Sequence, residues 1–111
     1  MLTRALEMAQ RRPRMEAFSV DGTGTASIVI GAARATLTDN GTGDYTLTFL
    51  DPFARVPMAV GMTKTADSIL QTSTISATAV RILAFDATDG TTAKDVDFDL
   101  LVVGFDSAEE F

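Results

Sequence analysis

The chain contains no cysteine, no histidine and no tryptophan among its 111 residues. Without cysteine it can form no disulfide and offer no thiolate ligand, so cysteine usage leaves the redox compartment open. Without histidine it lacks the commonest metal ligand and the usual base of a catalytic triad. The composition therefore excludes His- or Cys-based metal sites and triads, and the sequence predicts no enzyme, no cofactor and no metal centre.

Long apolar runs are absent as well. No stretch approaches the roughly 18 apolar residues that a bilayer-spanning helix needs. The first 18 residues also lack the continuous apolar segment of a secretory signal peptide. No membrane partner is expected.

Basic residues are few, and they are unevenly placed. Nine basic side chains face fifteen acidic ones, which gives a formal net charge of −6. Residues 1–20 hold four arginines and two glutamates, a net charge of +2, so the remainder carries −8. Because phosphate binding needs a basic surface, this acidic body argues against nucleic acid as the partner.

The N-terminal segment has a weak helical pattern. Its apolar residues at helical spacing are Leu2, Ala5, Leu6 and Ala9. A short helix over about residues 2–11 would end before Pro13, and an extended arm is the competing interpretation. We predict that residues 1–16 form a basic arm and that residues 17–111 form the folded domain.

After residue 18 the sequence becomes rich in threonine, valine and isoleucine, which favour strands. Strands are predicted at 26–31, 33–38, 44–50, 56–64, 68–76, 79–86 and 97–105. Glycine, asparagine and aspartate clusters separate them, as turns require. About seven short strands and no βαβ pattern predict an all-β antiparallel β-sandwich or jelly roll. The two strands on either side of Gly31 could also be one kinked strand.

The stretch from Asp39 to Phe53 shows the pattern most clearly. A glycine-rich turn can reach positive φ there. Tyr45, Leu47 and Phe49 then alternate with threonines, so the three apolar side chains should share one face. Pro52 lacks an N–H and should end the strand.

Two later strands are apolar on both faces. In 79–86 and 97–105 the apolar residues occupy both alternating sets, whereas a sheet with one wet face alternates apolar and polar. The set expected to meet another copy is Leu83, Phe85, Leu101, Val103 and Phe105. The alternative is that the N-terminal segment alone covers that face. Large exposed apolar patches usually mark interfaces, which favours oligomerisation.

Two groups of residues suggest chemistry only weakly. Asp95, Asp97 and Asp99 recur at period two, and carboxylates suit Ca²⁺, but their spacing does not match a calcium loop. A solvated acidic rim is the plainer interpretation. Lys64 and Ser68 lie close in sequence, yet nothing marks the serine as a nucleophile.

The sequence resembles small β-sandwich domains of tailed-phage virions, which occur as capsid decoration (cement) proteins and as distal domains of tail fibres. The residues that carry the resemblance are Gly41–Phe49, then Pro52-Phe53 and Val56-Pro57, and finally Asp97–Gly104. Together they span the region from Thr25 to Asp106. The resemblance implies a non-enzymatic virion structural protein, usually a homotrimer, with no small-molecule substrate.

The expected function is a decoration protein on the outer capsid surface that binds the major capsid protein of a phage and stabilises subunit junctions. The alternative is a tail-fibre tip that recognises a bacterial surface glycan or protein. A tip should cluster exposed aromatic residues in its loops, and this chain has few aromatic residues. The arm expected to dock on the capsid or on an adjacent copy comprises Leu2, Arg4, Leu6, Met8, Arg11, Arg12 and Arg14.

Overall fold

The computed structural model describes residues 13–106, which form eight strands and no helix. Consequently no helix in this part of the chain is long and apolar enough to cross a membrane. The strands are β1 (Arg14–Asp21), β2 (Ser27–Ile30), β3 (Ala35–Gly41), β4 (Asp44–Phe49), β5 (Met58–Thr63), β6 (Ser68–Ile75), β7 (Ala79–Asp86) and β8 (Asp97–Gly104).

The eight strands form two four-stranded sheets. Sheet A has the order β2-β1-β8-β5, and sheet B has the order β3-β4-β7-β6. Every pairing between strands is antiparallel. The two sheets pack face to face around one core, which confirms the predicted β-sandwich.

The core follows from the alternation of side chains along the strands. Tyr45, Leu47 and Phe49 of β4 point inward and are buried, as predicted. The remaining core residues come from both sheets and two loops: Phe18, Val20, Ala35, Phe53, Val80, Ile82, Ala84, Val96, Phe98, Leu100 and Val102. The inner faces of both sheets thus contribute to one apolar layer.

All seven predicted strands are present, with bounds that differ by up to three residues. The segments on either side of Gly31 are two strands in different sheets, not one kinked strand. Gly31 has φ 98°, and its carbonyl accepts a hydrogen bond from the Arg34 backbone N–H at 2.9 Å. A tight turn at this glycine therefore carries the chain from sheet A to sheet B.

The eighth strand, β1, was not predicted. It begins at Arg14 and pairs with β2 on one side and β8 on the other. Residues 14–16, which the sequence assigned to the arm, are therefore part of an inner strand of sheet A. The helix predicted over about residues 2–11 lies outside the described residues.

Candidate functional site

The strand β5 presents its larger apolar side chains to solvent and its smaller ones to the core. Met58, Val60 and Met62 are 69%, 71% and 66% exposed. The alternate residues Ala59, Gly61 and Thr63 are half-buried and point toward sheet B. A strand with one wet face normally does the reverse. This inversion makes the outer face of sheet A the candidate functional site.

The position of Gly61 explains why β5 holds this register. A Cβ atom at Gly61 would come within 2.6 Å of Leu70 Cδ2 and 3.3 Å of Leu100 Cδ1. The space inside the sandwich at this point is already filled by two leucines. A one-residue slip, which would turn Val60 and Met62 inward, has no room for their side chains.

Strand pairing arranges the outward-pointing residues of sheet A in rows. Met15, Val103 and Met58 lie side by side across β1, β8 and β5, and the next row is Ala17, Leu101 and Val60. In the third row, Ser19 and Asp99 lie beside Met62, with Ile30 of β2 next to Ser19. We call the apolar members of these rows the apolar face: Met15, Ala17, Ile30, Met58, Val60, Met62, Leu101 and Val103.

A concavity of about 430 Å³ opens within the apolar face. Its apolar rim is formed by Ile30 on one side and by Val60 and Met62 on the other. Ala17 and Ser19 lie between these larger residues, and their short side chains leave the hollow. A protruding apolar side chain from a partner would fit here better than a flat surface.

The apolar face is polar at one end. Lys64 Nζ donates a hydrogen bond to Ser19 Oγ at 2.8 Å and lies 3.1 Å from Asp99 Oδ1. The hydrogen bond with Ser19 and then the contact with Lys64 lower the pKa of Asp99. Asp99 is thus a carboxylate at neutral pH, and the end of the face carries fixed charge.

The five residues expected at an oligomer interface lie in three places. Leu101 and Val103 belong to the apolar face of sheet A. Leu83 and Phe85 lie half-buried on the outer face of sheet B, where Phe85 pairs with Ile69. Phe105 follows the end of β8 and is half-buried. The structure therefore divides them between opposite sides of the sandwich, and it adds Met58, Val60 and Met62, which the sequence pattern did not single out.

Arg14 is the one member of the predicted docking arm among the described residues, and its side chain is committed within the molecule. The guanidinium lies 4.0 Å from the centroid of the Phe53 ring. It also donates to Glu16 at 3.0 Å and to Asp106 at 2.9 Å. The other arm residues (Leu2, Arg4, Leu6, Met8, Arg11 and Arg12) lie outside the described residues.

The three aspartates at period two do not form a cluster. Asp97 Oδ1 accepts a hydrogen bond from the Gly22 N–H at 3.2 Å, and Asp99 pairs with Lys64. Asp95 Oδ1 accepts from Tyr45 Oη at 3.1 Å and from the Gly43 N–H at 2.8 Å. No group of three His, Cys, Asp or Glu side chains within residues 13–106 could hold a metal ion.

Tyr45 is the most deeply buried polar side chain at this end of the sandwich. Its hydroxyl lies 3.0 Å from the Gly22 carbonyl and accepts the Val96 N–H at 3.2 Å. Burial, followed by the contacts with Asp95, raises the pKa of Tyr45 to about 12. It stays a neutral hydrogen-bonding group near pH 7 and ties the β1–β2 turn to the segment that enters β8.

The serine and lysine that lie close in sequence are used separately. Ser68 Oγ donates to the Thr65 carbonyl at 2.5 Å and lies 2.6 Å from Thr63 Oγ1. Lys64 Nζ instead contacts Ser19 and Asp99. The two groups are each held by other partners, so the structure gives Ser68 no activating base.

No family model matches this sequence, and comparisons with curated proteins and with solved structures find no match either.

Proposed function

We propose that this protein is a non-enzymatic structural protein of a tailed-phage virion, which decorates the outer capsid surface as a homotrimer. The observation that carries the proposal is the apolar face of sheet A. Its three most exposed large side chains, Met58, Val60 and Met62, lie together on one edge strand. A contiguous exposed patch of this kind usually marks an interface.

The chemistry of the face fits a protein partner. Methionine side chains are flexible and polarisable and adapt to apolar surfaces. Charged groups lie at both ends of the face, Lys64 and Asp99 at one end and Arg14, Asp51 and Asp106 beyond Met15 at the other. An apolar centre with a polar rim is the usual anatomy of a protein interface.

The virion role and the number of copies rest on the resemblance of Thr25–Asp106 to phage decoration proteins. In this role each copy buries the apolar face against a neighbouring copy. Linked copies then engage the capsid together, because the second and third contacts form at high effective concentration.

The arrangement of aromatic residues favours decoration over a tail-fibre tip. Among residues 13–106 five aromatic side chains are buried, and Phe85 and Phe105 are half-buried. The described loops therefore present no fully exposed ring for a glycan to stack on.

The test is co-sedimentation with undecorated capsids of the phage that carries this chain. The intact protein should pellet with the capsids. Val60→Asp should pellet about tenfold more weakly or worse, because a charge buried at an apolar contact without a partner costs several kcal/mol. Thr48→Asp, on the exposed outer face of sheet B, is the matched control and should behave as the unchanged protein.

A deletion of residues 1–12 tests whether the N-terminal arm contributes to capsid binding. Removing residues 1–12 leaves Arg14 and its contacts in place, so the sandwich should still fold while capsid binding weakens. Changing Arg11 and Arg12 to serine should weaken binding in part, and more at low salt than at high salt, since salt already screens the charge term. Intact protein that fails to pellet with any capsid, and that immunogold labelling does not find on particles, would contradict the proposal.

A further inference from the structure

We infer that the apolar face of sheet A is the docking site for the N-terminal segment, residues 1–12, of a second copy of this chain. This inference names the occupant of the face and rests on the proposed function only for the number of copies.

The dimensions of the face suit one helix. From Met15 to Ser19 it extends four residues along β1, about 13 Å, and from Ile30 on β2 across β1 and β8 to β5 it spans three strand spacings, about 14 Å. A helix over residues 2–11 would be about 15 Å long and 10–12 Å across. One such helix would cover most of the face.

The same dimensions argue against a face-to-face dimer. A stable interface buries roughly 800 Å² on each partner. The face covers on the order of a few hundred Å². A face-to-face pair would use this area once per copy, whereas an exchange of segments would use it twice, because each copy both gives a segment and receives one.

The segment has the pattern that the face requires. Leu2, Ala5, Leu6 and Ala9 recur at helical spacing, so a helix would turn them toward one side. The concavity between Ile30 and Met62 would receive one of the two leucines. The small alanines would let the helix approach the sheet closely.

Charges at the border of the face complement the segment. With its C-terminal end near Met15, the helix would bring Arg11 and Arg12 to the end where Asp51 and Asp106 have side chains 86% and 68% exposed. Arg14 already contacts both carboxylates, at 3.7 Å and 2.9 Å, so the added arginines would share two partly neutralised groups. At the opposite end Lys64 already pairs with Asp99 at 3.1 Å. Arginines in the last turn also interact favourably with the helix dipole.

The connection to β1 favours a neighbouring copy over the same chain. Only Arg12 and Pro13 separate such a helix from Arg14, and neither is a glycine. The residue before a proline is biased toward extended backbone, which disfavours a tight reversal at Arg12. A helix that ends at Arg11 would therefore reach a neighbouring sheet more easily than its own. Such a head-to-tail contact closes into a ring when copies meet symmetrically, here three of them.

The chain lacks cysteine, so single cysteines can be introduced without background. Leu6→Cys and Val60→Cys would be made as separate proteins carrying different mass tags, mixed at high concentration without capsids, and oxidised. Disulfide-linked heterodimers, identified by mass spectrometry, are expected at least tenfold above a mixture in which Thr48→Cys replaces Val60→Cys. Because Thr48 lies on sheet B, that mixture controls for random collision.

Two results would overturn the inference. If the mixture gives no heterodimer while a double variant, Leu6→Cys with Val60→Cys, forms an internal disulfide, the segment covers its own sheet. If neither forms, another molecule occupies the face. This experiment contains no capsid. A positive cross-link together with failed capsid binding would therefore support docking of residues 1–12 on a second copy and contradict the proposed capsid function.

Discussion

The outer faces of the two sheets are made of different residues although both sheets have four strands. On sheet B the outward residues of β4 are Asp44, Thr46 and Thr48, and Arg81 of β7 bonds both oxygens of Asp44 at 2.9 and 2.6 Å. On sheet A the outward residues of β5 are Met58, Val60 and Met62. Both faces satisfy the alternation of a strand, but only the sheet B face suits water. This difference is the basis for proposing a partner at sheet A.

Sheet B is not polar throughout. Leu83 and Phe85 form an apolar corner with Ile69, which is 44% exposed. Leu83 and Phe85 are half-buried. The chain folds back beside them, because Phe85 forms an isolated β-bridge with Ala93. This corner is partly covered from within the molecule, whereas Val60 on sheet A is 71% exposed.

The largest expected effect is a loss of folding stability when a larger side chain is placed on the inner side of β5. Gly61→Val places carbon atoms against Leu70 and Leu100, and overpacking of this kind typically destabilises a fold by about 1–3 kcal/mol. The free energy of unfolding from denaturant titration measures it. Val60→Ala is the control and should change that value by no more than about 0.5 kcal/mol. If Val60→Ala is the costlier change, the inside and outside of β5 are reversed.

The second-largest expected effect is on self-association, when the outer face of sheet A is made more polar or that of sheet B more apolar. Val60→Thr with Met62→Thr should leave the fold intact and weaken self-association by roughly tenfold, since about 1.4 kcal/mol of apolar burial is lost. Thr46→Val with Thr48→Val adds an apolar strip to sheet B and should leave self-association unchanged or raise it. Light scattering across a concentration series measures both. Equal weakening by both pairs would show that the contrast between the faces has no role in assembly.

The smallest expected effect is on the pH dependence of stability, through Asp44 on sheet B and Asp99 on sheet A. The hydrogen bond from Arg81 lowers the pKa of Asp44, and the hydrogen bond with Ser19 followed by Lys64 lowers that of Asp99. A carboxyl group with a lowered folded pKa stabilises the fold above its unfolded pKa, and this contribution is lost as pH falls from about 4 through the folded pKa. Asp44→Asn and Asp99→Asn should each lower the denaturation midpoint at pH 7, and both effects should shrink as pH falls below about 4.

The two substitutions should shift the denaturation midpoint by different amounts. The Asp44 side chain is 19% exposed and is held by two bonds to Arg81, whereas that of Asp99 is 50% exposed. Solvent and salt screen the more exposed pair. Asp44→Asn should therefore shift the midpoint more than Asp99→Asn, and added salt should diminish the second shift further. The reverse order would mean that Asp99 is more shielded in solution, as a bound partner would make it.

The sequence predicted the sandwich because seven strands alternate or are bounded by clear turns. It failed for β1 because that strand carries charge on its inward side. Arg14 and Glu16 point toward the open end of the sandwich, where Arg34 also pairs with Glu16 at 2.6 Å. Charged residues at the inward positions of a strand resemble a solvated arm when only the sequence is considered. Tertiary contacts such as that between Arg14 and Phe53 are needed to identify β1 as a strand.

The apolar face could be predicted only in part. Leu101 and Val103 were identified because β8 is apolar in both alternating sets. The strand β5 reads as a nearly uniform apolar run, so its sequence does not say which set faces out. That choice depends on Leu70 and Leu100, which fill the space beside Gly61. Contacts with other strands, and not the local pattern, decide it.

The position of β8 between β1 and β5 has a consequence for how the molecule is made. It is the last strand in chain order, yet it lies inside sheet A and joins two strands that otherwise do not pair. Sheet B can be complete once β7 has been synthesised. In sheet A, β1 can pair early with β2 but must wait some eighty residues for β8, and such distant pairings form slowly. The rows that bring Met15, Val103 and Met58 together therefore exist only in a finished chain. A truncated or half-folded copy lacks the complete apolar face, so the proposed assembly would select for molecules that have completed folding.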